Sequence, residues 1–370
     1  VSTILLFVIP TGIPLVAKLI WATLAYMLWD TAYTLCDVPI FGIVTTMTLD
    51  QKERVSLNSI GRIFAIFAGI VTGILLPLVR QSLGGWATTV IVLSILSAAM
   101  MIPMCLFAKE RVIEREKARD GGAEENYTLR DMVECLRSNK YLLIFFAAPL
   151  ISSLLNVGAT WGLYIARYCL GGEEIASFVS MAVIVPTLIG AVMAVELCKK
   201  YDKFKIFYFS YMFALILGIV RYIAGYENMM VYVILNALGG FPLGIAAILQ
   251  YQFTPDCYEY GQYKTGLKMR GVTFAAQTFF TKLNGAIATA ASVFALTLIG
   301  FKEGEGVIQA AGFADKLWTF SCLGSIIGGI CTLLILHLYK LNDHDVQLMS
   351  KCNNGEITRE EAEAQMINRY

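Results

Sequence analysis

The chain has 370 residues, of which 57% are hydrophobic and 15% are charged, and its mean hydropathy is +0.64. Soluble domains contain about 45–50% apolar and about 25% charged residues, so a water-soluble enzyme is excluded. The 29 lysines and arginines barely exceed the 28 acidic residues, which excludes a nucleic-acid partner bound by bulk charge. Nine scattered cysteines and two histidines argue against a disulfide scaffold or a metal site. Composition therefore predicts an all-α protein that crosses a lipid bilayer several times.

Apolar stretches long enough for membrane-spanning helices recur along the whole chain. A full span needs about 20 apolar residues, and we predict spans near 1–9, 19–47, 58–79, 86–108, 141–166, 175–197, 206–224, 228–252, 271–300 and 314–339. The first stretch is short and begins without a methionine, so we expect that the chain starts inside a helix and that two spans precede it. Two halves of six helices would then flank one polar segment, a symmetry common among transporters.

The predicted domains follow from this count. Residues 1–108 form the remnant of an N-terminal helical half, and 109–140 form a connecting loop whose part 128–136 has the spacing of an amphipathic helix. Residues 141–341 form a C-terminal half of six helices, and 342–370 form a polar tail. In that tail, Thr358 and Glu361 have the spacing of a capping box, which predicts one more short helix.

The basic residues predict the orientation in the membrane. Most of them fall in alternate links, among them the segments 109–140, 199–205 and 264–270, and also in the tail. Because cytoplasmic loops carry an excess of lysine and arginine, these links and the C-terminus are expected to face the cytoplasm of a cytoplasmic membrane.

Ionisable residues inside apolar spans are the first candidates for a binding site, because they are costly in the membrane without a cavity or a partner. Asp30, Tyr33, Thr34, Asp37 and Phe41 recur at helical spacing on one stripe. Acids and hydroxyls that accept or donate hydrogen bonds, beside aromatic rings, suit a sugar. The alternative is a structural charge pair that holds helices together.

Two basic residues also lie within predicted spans. Arg62 stands early in its span at a depth that would let it pair with Asp37, although it would equally suit an arginine that extends to the interface. Lys282 lies near the middle of its span, with Gln277 and Thr278 one turn before it. This depth is too great for the ammonium to reach the interface, so Lys282 is expected to face a carboxylate or a cavity.

Two polar segments between spans have mixed charges. One contains Asp50 and Arg54, and the other contains Asp256 and Glu259. Each is consistent with a solvated loop. Their charges also suit ion pairs between Arg54 and the acids of the second segment, which would close a cytoplasmic gate in one conformation.

The segment 28–41, the run 48–54, Arg62 and the segments 256–264 and 277–282 together resemble the glycoside–pentoside–hexuronide:cation symporters, the family of the melibiose permease in the major facilitator superfamily. The resemblance runs over nearly the whole chain in the same order. It implies a major facilitator fold lacking helices one and two, with about ten spans present.

The resemblance also implies a function and its residues. The sugar would be bound by Tyr33, Asp37, Phe41, Arg62, Gln277, Thr278 and Lys282, with Thr34 beside the site of the coupling cation. Such a chain is a monomer that moves a small sugar with Na⁺ or H⁺ by alternating access, and it has no catalytic residues and no cofactor. The alternatives are a major facilitator relative that moves a lipid or a drug, and, from another class, a membrane receptor or enzyme.

Overall fold

The computed structural model describes residues 2–370 except 9, 11, 13, 48–56, 58, 59, 62, 66, 70–85, 108–128, 173, 268, 269 and 303–307. The described residues form helices joined by turns, without strands. They divide into two units, 1–125 and 126–370.

Three helices of the first unit have both ends among the described residues, and residues 57, 60, 61, 63–65 and 67–69 are helical as well. Helix α1 is Ser2–Phe7, α2 is Leu15–Met47 and α3 is Trp86–Phe107. The short helix α1 packs against both of the others, and the indole nitrogen of Trp21 donates a hydrogen bond to the carbonyl oxygen of Leu5 at 3.2 Å. With 33 residues, α2 is about 50 Å long, which exceeds the bilayer's apolar thickness.

The second unit contains eleven α-helices in its described part. They are α4 (Leu129–Ser138), α5 (Lys140–Leu155), α6 (Gly162–Tyr168), α7 (Glu174–Leu197), α8 (Lys203–Ala224), α9 (Met229–Leu249), α10 (Phe253–Thr265), α11 (Arg270–Leu298), α12 (Phe313–Leu336), α13 (Asp343–Asn353) and α14 (Arg359–Gln365). A 3₁₀ turn at Val157–Thr160 links α5 to α6, and another at Gln250–Gln252 links α9 to α10.

Six helical segments of the described residues are long and apolar enough to cross a membrane: Ala87–Phe107, Phe178–Leu197, Lys203–Ala224, Met229–Thr265, Gly271–Leu298 and Phe313–Leu336. The predicted stretches 86–108, 175–197, 206–224, 271–300 and 314–339 match α3, α7, α8, α11 and α12 to within a few residues. The amphipathic helix predicted at 128–136 is confirmed by α4, and the capping box of Thr358 and Glu361 is confirmed at the start of α14.

Two boundaries predicted from the apolar pattern are wrong. The stretch 141–166 is not one helix, because the α-helical path stops at Leu155, where Asn156 follows as the C-cap, and resumes at Gly162. The polar run 256–264 is not a loop, because the chain turns from α9 through one 3₁₀ turn directly into α10. Polar composition alone predicts a loop, whereas side-chain contacts with neighbouring helices hold this segment in a helix.

Glycines set the closest helix packing in the second unit, between α7 and α9. A Cβ at Gly244 would overlap the carbonyl oxygen of Thr187, a Cβ at Gly240 would lie 2.5 Å from that of Val183, and a Cβ at Gly190 would overlap that of Phe241. Gly240 and Gly244 are four residues apart, so they share one face of α9. This is the small-residue spacing that lets membrane helices approach backbone to backbone.

Candidate functional site

Helix α2 carries the polar stripe that the sequence predicts. Asp30 and Thr34 are half-buried and Tyr33 is exposed, while the ring of Trp29 stacks on that of Tyr33 with centroids 5.7 Å apart. The hydroxyl of Thr34 donates a hydrogen bond to the carbonyl oxygen of Asp30 at 2.8 Å. The proton of this hydroxyl is thereby used within the helix.

The remaining predicted residues of this region are less fully described. Asp37 and Phe41 belong to helix α2, but their side chains lie outside the described part of the chain. Asp50, Arg54 and Arg62 lie outside the described residues altogether. The predicted pairing of Asp37 with Arg62, and that of Arg54 with the acids of 256–259, therefore stay predictions.

Helix α11 carries the predicted site residues of the second unit. Gln277 and Thr278 are half-buried and Lys282 is exposed on the surface of this helix. The hydroxyl of Thr278 donates to the carbonyl oxygen of Phe274 at 3.3 Å. Lys282 is the twelfth residue of the apolar segment Gly271–Leu298, which places it roughly 4 Å along the axis from the segment's midpoint.

Asn284 is a polar residue of the same helix that sequence reasoning missed. It is half-buried, and its side-chain oxygen Oδ1 is buried without a hydrogen-bond partner among the described residues. Asn284 follows Gln277 by two helical turns, so both amides lie on one face of α11. The sequence did contain a signal for this residue, namely a side-chain amide in the middle of an apolar span. An unsatisfied buried acceptor costs about 1–3 kcal/mol, which a hydroxyl group of a bound ligand would offset.

The break between α5 and α6 packs against α11 and α12 through polar and small side chains. Ser292 of α11 accepts a hydrogen bond from the indole nitrogen of Trp161 at 2.8 Å, and its hydroxyl lies 2.5 Å from that of Thr160. A Cβ at Gly158 would overlap the side chain of Ser321 on α12. Interrupted helices often build the binding sites of transporters, so this junction is a second candidate feature that the sequence interpretation missed.

Asp256 does not lie in a solvated loop but belongs to a charge cluster that the sequence did not predict. The ammonium of Lys203 lies 2.8 Å from both carboxylate oxygens of Asp256 and 3.1 Å from Oδ1 of Asp343. Asp202 caps α8 by accepting from the amides of Phe204 and Lys205, and it also accepts from the amide of Asp343 at 2.8 Å. The cluster joins the starts of α8 and α13 to α10.

Around this cluster the tail segment 342–370 is folded onto the rest of the second unit. Glu259 accepts a hydrogen bond from the side-chain amide of Asn353 at 2.9 Å. Burial, together with the nearby carboxylate of Asp343, raises the pKa of the Cys198 thiol to about 11. That thiol is therefore uncharged at neutral pH, as expected beside an acidic cluster.

Comparison with known proteins places the chain in a family. A family model described as "MFS/sugar transport protein" matches residues 1–343. The chain is 24% identical over 345 residues to an inner membrane symporter of Escherichia coli, covering 89% of this chain and 72% of that protein. It is 26% identical to the lactose permease of Lactobacillus helveticus, covering 97% of this chain and 59% of that protein.

A third relative is the isoprimeverose transporter of Lactiplantibacillus pentosus, which is 22% identical, with 95% of this chain and 73% of that protein covered. The chain thus spans between about three fifths and three quarters of the length of these relatives. Each of them is a transporter, none an enzyme, which agrees with the sequence prediction. The match over residues 1–343 and the predominance of apolar helices lead to one conclusion: the chain belongs to the major facilitator family of sugar transport proteins.

Proposed function

We propose that the chain is a symporter that moves a glycoside-type sugar with a cation, Na⁺ or H⁺, across the cytoplasmic membrane by alternating access. The observation that carries the proposal is the ladder of hydrogen-bonding side chains on α11, with Lys282 near the midpoint of an apolar span. A charged group at this depth costs several kcal/mol without a polar partner, so such residues mark solute pathways.

The side chains suit a sugar better than they suit a lipid or a drug. Gln277, Thr278 and Asn284 offer amide and hydroxyl groups, and Lys282 offers three donors. A polyol can form hydrogen bonds with such groups, whereas an apolar solute cannot. We propose that Tyr33, Asp37, Phe41 and Arg62 complete the sugar site and that Thr34 lies beside the cation. This second part follows from the family resemblance.

The membrane arrangement is part of the same proposal. We infer that the helices that cross the bilayer exceed the six identified by length and hydropathy and amount to about ten. The basic character of the segments at 199–205 and 264–270 supports a cytoplasmic location for the end of α7, the start of α8 and the end of α10, and thus for the tail.

Counterflow in proteoliposomes tests the transport function. We expect labelled glycosides from a panel of galactosides, glucosides, xylosides and glucuronides to exchange across the membrane, faster with Na⁺ or at lower pH. Lys282→Ala should abolish exchange, and Lys302→Ala, which alters an exposed lysine four residues after the end of α11, should leave it unchanged. Exchange of an amphiphilic drug but of none of the sugars would instead support the non-sugar alternative.

Binding measurements test the sugar site independently of cation-coupled transport. Asp37→Asn should weaken sugar binding, measured by calorimetry, by about 10- to 100-fold, the value of a hydrogen bond to a charged group. Asn284→Leu should weaken it less and at the same time stabilise the unliganded protein, because it removes an unsatisfied buried acceptor. Unchanged affinity in both variants would contradict the assignment of these residues to the sugar site.

A further inference from the structure

A concave apolar groove runs along the outside of the second unit, where the end of α7 and the first half of α8 meet α9. Its volume is about 370 Å³, and its walls include Leu197, Phe209, Phe213, Phe241, Pro242 and Ile245. The hydroxyl of Ser210, the polar side chain on its inner wall, donates to the carbonyl oxygen of Phe207 at 2.7 Å. A cavity lined in this way does not hold water well.

The mouth of the groove is basic. Lys205 and Tyr201 line the groove at the start of α8, and both are exposed. Phe213 lies eight residues further along α8, so the groove extends about 12 Å from its mouth along the helix. A tyrosine and a lysine at one end of an apolar channel are the groups that contact phospholipid head groups at a membrane surface.

The lysines between positions 199 and 205 differ in whether they form salt bridges. Lys199 forms a salt bridge with Glu196 at 2.7 Å, and Lys203 forms salt bridges with Asp256 and Asp343. Among the described residues, Lys205 has no salt bridge, and Asp202, the nearest acid in sequence, binds backbone amides. The free positive charge at the groove mouth therefore complements an anion, while the walls complement a hydrocarbon chain.

We propose that this groove binds one anionic phospholipid of the bilayer, with its phosphate at Lys205 and Tyr201 and an acyl chain along Phe209 and Phe241. The site is separate from the polar residues of α11 and does not depend on which solute is transported. Phosphatidylglycerol has the required chemistry, because it combines one negative charge with two acyl chains.

Fluorescence quenching by brominated lipids tests the site. Phe241→Trp places a reporter in the groove, and the signal of the parent chain with its five tryptophans is subtracted. In mixed bilayers, brominated phosphatidylglycerol should quench the reporter at least fivefold more effectively than brominated phosphatidylcholine. Lys205→Ala should reduce that preference about fivefold, the contribution of one lysine near an anionic surface. Lys205→Arg should retain it.

Lys199→Ala is the matched control, because it removes an exposed lysine six positions before Lys205 that already pairs with Glu196. It should leave the preference unchanged. Equal quenching by the two lipids, or a preference that survives Lys205→Ala, would overturn the proposal. Displacement of the lipid by glycerol 3-phosphate at the same concentration would overturn it as well, since the acyl chain would then contribute nothing. All variants are compared as monodisperse protein, so that misfolding is not mistaken for loss of binding.

Discussion

The ammonium nitrogen of Lys203 lies 2.8 Å from both carboxylate oxygens of Asp256, 53 positions later in the chain. The side chains of Lys203 and Asp256 are 18% and 10% exposed, so this ion pair is largely removed from solvent. Asp343 adds a second carboxylate at 3.1 Å. One lysine thus joins a predicted membrane helix to α10 and to the tail.

Replacing Lys203 by methionine should strongly destabilise the second unit. The change leaves two partly buried carboxylates without a counter-charge, and breaking a buried pair in this way costs about 3–5 kcal/mol. The midpoint of thermal unfolding in detergent, followed by circular dichroism, measures the loss. Lys199→Ala is the control, because its salt bridge with Glu196 is more than half exposed on both sides and such pairs contribute about 0–1 kcal/mol. Equal midpoints for the two variants would contradict a structural role for the cluster.

Gly244→Ala should separate α7 from α9. The new methyl group would overlap the carbonyl oxygen of Thr187, which belongs to a helix backbone and cannot rotate away. Gly239→Ala is a matched control five positions earlier, where nothing lies within 4 Å of the added carbon. The control should be neutral or more stable by up to about 1 kcal/mol, since alanine favours helices over glycine. Equal unfolding temperatures for Gly244→Ala and Gly239→Ala would contradict close packing of α7 against α9 at Gly244.

Ser292→Ala should weaken the junction at the broken helix. The indole nitrogen of the fully buried Trp161 would lose its acceptor, which costs about 1–3 kcal/mol. Ser180→Ala, an exposed serine whose hydroxyl bonds within its own helix, should change stability by less than about 0.5 kcal/mol. Chemical denaturation of both variants in the same detergent provides the comparison. A stability loss in Ser180→Ala as large as that in Ser292→Ala would contradict a stabilising role for the hydrogen bond between Ser292 and Trp161.

Asp345 controls how the end of the chain is held. Its burial alone would raise its pKa, but hydrogen bonds from the amides of Ile367 and Asn368 and from the hydroxyl of Tyr370 outweigh this and lower the pKa below its ordinary value. A carboxyl group with a lowered pKa stabilises the fold above about pH 4, the range in which the unfolded group is also ionised. That stabilisation is lost as the pH falls further, through the pKa of the folded state.

Hydrogen exchange at the amides of Ile367 and Asn368 measures this effect. At neutral pH these amides should be protected in the parent chain and exposed in Asp345→Asn, whose neutral amide is a weaker acceptor. In the parent chain, protection should also decrease as the pH falls below about 4, after correction for intrinsic exchange rates. Glu360→Gln, an exposed change in the first turn of α14, serves as the control and should exchange like the parent.

The sequence predicted helices where apolar residues alone decide the structure. The bounds of α3, α7, α8, α11 and α12 follow from runs of apolar side chains, because burial in lipid requires a hydrogen-bonded backbone over the whole run. The positions of Gln277, Thr278 and Lys282 on α11 were predictable for the same reason, since helical spacing fixes which residues share a face.

Contacts between distant segments were not predictable in this way. The polar run that forms α10 is a helix because Asp256 binds Lys203, the side chain of Asn139 donates to the carbonyl oxygen of Cys257, and Tyr260 packs edge-on against Tyr141 at 4.8 Å. These partners lie 53 to 119 positions away in the chain, so no local pattern identifies them. The interruption at Asn156 had only a weak signal, since a single asparagine and Gly158 also occur within continuous helices.

The close contact of α7 and α9 determines which amino-acid substitutions the protein can tolerate during evolution. At Gly190, Gly240 and Gly244 the space is occupied by the backbone of the opposite helix, so even the smallest gain in side-chain volume displaces a helix. On the outer faces, exposed residues such as Val185 and Leu243 can exchange with other apolar residues at little cost, because lipid adapts to their shape. Neutral substitutions should therefore accumulate on the lipid side of this helix pair. Substitutions at the three glycines should be rare, because few of them would still allow the transporter to fold.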